Sequence, residues 1–165
     1  MSAPAPSTAP STARSSTPAG SPGRAARAFP PLVGLTSLLI LLQSVEAGVF
    51  LQSPEGGRKQ YSSWIDIHGA GSKVLLVLSL VTAIVAARGL RDRRELVVGS
   101  VALFVVLAVE TVLGHLINGS LGGSDHDAVT IVHIPLAMAL IGLTVWLATR
   151  AAQLRRSGMG AARMP

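Results

Sequence analysis

The stretch VLLVLSLVTAIVAARGLRDRRELVVGSVALFVVLAVETVLGHLI, residues 74–117, decides the fold. It holds two apolar runs separated by a short loop carrying Arg88, Arg91, Arg93 and Arg94. The run after the loop, from about Leu96 to Ile117, matches the ~20 residues that a helix needs to cross a bilayer. The run before it begins near Trp64 and ends at Ala87, with Asp66, His68 and Lys73 interrupting its first third. It still reads as a span, because backbone in lipid must be helical and the following helix needs a way back. Two further runs, from about Pro31 to Leu51 and from Val129 to Ala148, complete a set of four. The expectation is an all-α, integral membrane four-helix bundle.

Composition agrees. Of the 165 residues, 49% are hydrophobic and only 13% are charged. An ordinary soluble domain carries about 25% charge. The net charge of +6 does not call for nucleic acid, because the basic residues flank the apolar runs. With no cysteine, disulfides, thiolate metal sites and cysteine catalysis are excluded.

Residues 1–28 consist mainly of Ser, Ala, Pro, Thr and Gly, with three arginines and no acid. Such a segment cannot bury enough apolar surface to offset its ordering entropy, so it is expected to be a disordered tail. Residues 29–150 form the transmembrane domain, and 151–165 a basic tail. Lysine and arginine set orientation, with the richer side cytoplasmic. The N-terminal tail, the 88–94 loop and residues 150–165 hold eleven of the fourteen basic residues. Both termini are therefore expected in the cytoplasm of a bacterium, with the chain in the plasma membrane. Tyr61 to Trp64 would anchor the outer interface.

Depth follows from the rise of about 1.5 Å per residue. His68, His115 and His133 fall roughly 26–30 Å from the inner surface. Glu46, Glu110 and Lys73 fall about 22–26 Å from it. All six share the outer third of the bilayer. Ionisable residues in a span are costly and usually face the bundle interior for a function. Lys73 also suits plain snorkelling.

A repeat narrows the choice. Glu46 precedes His68 by 22 residues, and Glu110 precedes His133 by 23. Each histidine opens a helix that ends in arginine, Arg88 or Arg150. Two parallel helical hairpins related by an axis along the membrane normal are expected, with His68 opposite His133. Haem iron takes two axial imidazoles, and a bundle core is a usual place for them. His68 and His133 are the candidate axial ligands of haem b. His115, Lys73, Glu46 and Glu110 are the candidate accessory residues. Either histidine alone would pass as an amphipathic interfacial side chain, and His115 suits that role as well as an accessory one. Asp125, His126 and Asp127 in a Gly-rich outer loop suit solvation better than metal binding.

At these residues a resemblance emerges. Trp64-Ile65-Asp66-Ile67-His68, an apolar helix and a basic loop resemble the second helix of the haem A synthase family. Glu110-Thr111-Val112-Leu113-Gly114 resembles its third-helix Gln-x-x-x-Gly pattern, and Val132-His133-Ile134-Pro135-Leu136-Ala137 its fourth-helix histidine segment. The likeness runs from about Leu35 to Arg150 and matches one four-helix half of an eight-helix family. It implies haem ligation by His68 and His133. Where that family's catalytic half has a glutamate three residues before the histidine, this chain has Ile65. Haem binding is therefore implied without oxidation of a haem methyl group. The chain also resembles small four-helix membrane proteins of actinobacteria, for which no activity follows.

Two functions follow as expectations. One is a haem-b protein in electron transfer or haem handling, oxidoreductase-like but not a complete enzyme by itself. The other is a cofactor-free subunit packed against a larger membrane complex. A homodimer would rebuild an eight-helix arrangement from two copies.

Overall fold

The computed structural model describes residues 23–51, 58–117 and 126–161. Four α-helices account for nearly all of them: α1 Arg24–Leu51, α2 Arg58–Gly89, α3 Arg94–Ile117 and α4 His126–Ala161. Each contains a span long and apolar enough to cross a membrane. The expected runs lie inside these helices, but the helices extend beyond them. α1 starts at Arg24, inside the segment expected to be tail, and α4 continues to Ala161. Alanine and arginine are strong helix formers, so the helices carry on past the apolar boundary into the basic ends. Pro30 and Pro31 sit within α1 and Pro135 within α4. Each lacks an N–H and frees a carbonyl four residues earlier.

The helices pack in a ring, α1 on α2, α2 on α3, α3 on α4, and α4 back on α1. Close approaches at the basic end fix neighbours as antiparallel. Gly89 at the end of α2 lies against Ala25 at the start of α1. A Cβ on Gly99, early in α3, would come within 2.5 Å of the Trp146 ring late in α4. Glycine at these two positions lets the helices come together. Leu90, just past α2, is buried, and the turn to α3 closes with the Arg93 N–H donating to the Leu90 carbonyl at 2.9 Å.

Large apolar side chains point outward, including Leu38 at 62% exposure and Met138 at 69%. Meanwhile Thr36, Ser79, Thr82, Ser100 and Thr144 are buried. Each of these hydroxyls donates to a carbonyl of its own helix, as Ser100 does to Leu96 at 2.7 Å. They fill the interior without needing a partner helix. An apolar exterior around a partly polar interior is the distribution that lipid demands. Phe29, Val33, Leu103 and Leu147 complete the core with fully buried side chains.

Candidate functional site

The far end of the bundle holds the polar cluster. Glu46 near the end of α1 and Glu110 near the end of α3 are the two buried carboxyls among the described residues, each 7% exposed. Glu46 Oε2 lies 3.8 Å from His68 Nδ1 on α2. Glu110 Oε2 lies 2.5 Å from His133 Nδ1 on α4. Each glutamate therefore faces the histidine of its own hairpin, and in both cases the nearer ring nitrogen is Nδ1. The first contact is too long for a hydrogen bond. The second is short but off the in-plane direction of a ring N–H, so it is a close polar pair rather than an aligned bond. His68 is also within electrostatic range of His133 and Glu110 on the opposite hairpin. The four groups form one cluster spread over four helices.

Gln43 belongs to this cluster, although sequence reading passed it over. Its side-chain amide donates to Glu46 Oε2 at 3.1 Å, and its backbone hydrogen-bonds His68. The Gln43 amide fits against Gly71 of α2, where any Cβ would collide with it. The available signal was its i, i+3 spacing from Glu46, which puts both on one face of α1. Gly114 has a similar place in the second half, where a Cβ would sit 4.0 Å from His133 Cε1.

Two expected accessory residues lie elsewhere. Lys73 is exposed on the outer face of α2. His115 is half-buried, and its Nδ1 approaches the Thr111 carbonyl of its own helix at 2.7 Å. Asp125 and the side chains of His126 and Asp127 lie outside the described residues, as does the N-terminal tail up to residue 22. Among the described residues, no three His, Cys, Asp or Glu side chains converge tightly enough to hold a metal ion by themselves.

Each carboxylate lies on the Nδ1 side of its imidazole without an aligned hydrogen bond to it. Glu110 Oε1 is buried with no hydrogen-bond partner among the described residues. It leaves an acceptor within the cluster for a bound group or a proton. No family model matches the chain, and neither a curated protein nor a solved structure is significantly similar to it.

Proposed function

We propose that this is a multi-pass membrane protein that binds haem b between His68 and His133 and serves in electron transfer or haem handling. The observation that carries the reading is the repeated His–Glu pair. Two histidines from different hairpins each have Nδ1 beside a buried carboxyl from the preceding helix. In this reading Glu46 and Glu110 orient the imidazoles, and Gln43 holds Glu46 in place. The bound haem would supply a one-electron redox centre. The repeat favours two parallel hairpins, and the arginine distribution favours both termini in the cytoplasm, which places the cluster near the outer leaflet. The short motifs that resemble one half of the haem A synthase family support ligation as an expectation, and Ile65 in place of that family's catalytic glutamate argues against methyl oxidation.

An absorption spectrum of the detergent-extracted protein tests the reading. A Soret band is expected, and His68→Ala or His133→Ala abolishes it. Full haem occupancy in the double alanine variant would sink the assignment.

The close Glu110–His133 contact favours a second reading. In a cofactor-free subunit, the His–Glu pairs would satisfy each other and lock the bundle for docking on a larger complex. That reading expects a colourless protein that co-purifies with a partner. A solitary red protein counts against it, and mass measurement in detergent separates monomer from homodimer.

A further inference from the structure

At the basic end, away from the histidine cluster, α1 and α4 leave a groove of about 350 Å³ between them. Pro31 and Gly34 line its α1 wall, Ala148 and Ala152 its α4 wall, and Arg155 closes one end. A Cβ on Gly34 would meet nothing within 4 Å, so the groove is open at that point. The small side chains leave a channel between two helices otherwise in contact. Its polarity is graded along the helices. The deeper part is apolar, and Arg155 lies one turn beyond Ala151.

Among the described residues, no carboxylate forms an ion pair with Arg155. Neither residues 1–45 nor residues 128–165 contain an aspartate or glutamate. The neighbouring hollow between α3 and α4 is different, because Glu95 lines it together with Arg93 and Arg150. An apolar slot ending in uncompensated arginine matches a phospholipid lying parallel to the helices. One acyl chain would run along Gly34 and Ala148, with the phosphate at Arg155. Basic pockets between spanning helices at the membrane surface recognise anionic headgroups in this way.

We propose that the α1–α4 groove binds one anionic phospholipid, with Arg155 contacting its phosphate. This depends on neither haem nor the His–Glu pairs. A free anion would have no use for the slot, and a zwitterionic lipid would carry its own counter-charge.

The test is native mass spectrometry of the full chain released from detergent containing phosphatidylglycerol or phosphatidylcholine. The wild type is expected to retain one phosphatidylglycerol per chain in preference to phosphatidylcholine. Arg155→Ala should weaken retention about fivefold, the size expected for one arginine at an anionic headgroup. Gly34→Leu should weaken it by filling the slot, and it enters open space without a clash. Arg91→Ala, which removes the same charge from the exposed α2–α3 turn, should leave retention unchanged. Equal retention of phosphatidylcholine overturns the proposal. So does an Arg91→Ala loss as large as that of Arg155→Ala, or full retention by Gly34→Leu.

Discussion

The two His–Glu pairs differ in a way that a double-mutant cycle can measure. The Glu110–His133 separation is 2.5 Å and the Glu46–His68 separation is 3.8 Å. Neither contact is an aligned hydrogen bond, so distance is what separates them. Interhelical polar contacts in membrane proteins couple by about 0.6 kcal/mol on average and reach about 1.7 kcal/mol. Glu110 and His133 have side chains 8% and 23% exposed, which leaves little solvent to screen them. Their coupling is expected near the top of that range, about 1.5 kcal/mol. Glu46 and His68 should couple at or below about 0.6 kcal/mol, because Glu46 keeps its contact with Gln43 when the ring is removed. The assay is reversible unfolding by SDS from mixed micelles, followed by far-UV circular dichroism. It is run on the wild type, the four single alanine variants and the two doubles, all without added haem. A Glu46–His68 coupling equal to or greater than that of Glu110–His133 refutes the assigned geometry. So does additivity at both pairs.

Other expectations test the packing and the orientation. Gly99→Ala should destabilise by about 1–3 kcal/mol in the same assay, because its Cβ meets the Trp146 ring at 2.5 Å. Gly142→Ala, with nothing within 4 Å, should instead be neutral or stabilise by up to about 1 kcal/mol through helix propensity. Leu103→Ala removes a fully buried side chain and should cost about 2–5 kcal/mol. Leu38→Ala, at a 62% exposed position on the apolar exterior, should cost far less, since lipid replaces the lost contacts. The chain has no native cysteine, so single-cysteine labelling reads topology directly. Asp92→Cys should react with an impermeant maleimide only after the cytoplasmic side is opened, and labelling in intact cells would reverse the orientation.

How much of this was legible beforehand depended on the quantity involved. Four helices followed from apolar run length against bilayer thickness, a one-dimensional property. The helix ends did not, because Arg24 to Ala28 and residues 151–161 continue as helix on local propensity outside the apolar runs. Depth was also readable, since counting residues along a helix gives height. That is why Glu46, His68, Glu110 and His133 were all assigned to one layer.

Direction around the helix axis was not fixed by the same count. Lys73 follows His68 by five residues and His115 follows Glu110 by five. At about 100° per residue, five residues turn a side chain roughly 140° away from its starting face. Lys73 therefore stands outside the bundle, and His115 turns to its own backbone, although both sit close to the cluster in height. Gln43, three residues before Glu46, keeps to the same face and joins the cluster. The apolar runs determined by themselves that the chain forms four helices long and apolar enough to cross a membrane, because that needs only length and hydropathy. Which polar residues meet was decided by helix rotation and close approach, and those depend on contacts such as Gly71 against Gln43 that exist only once the bundle has packed.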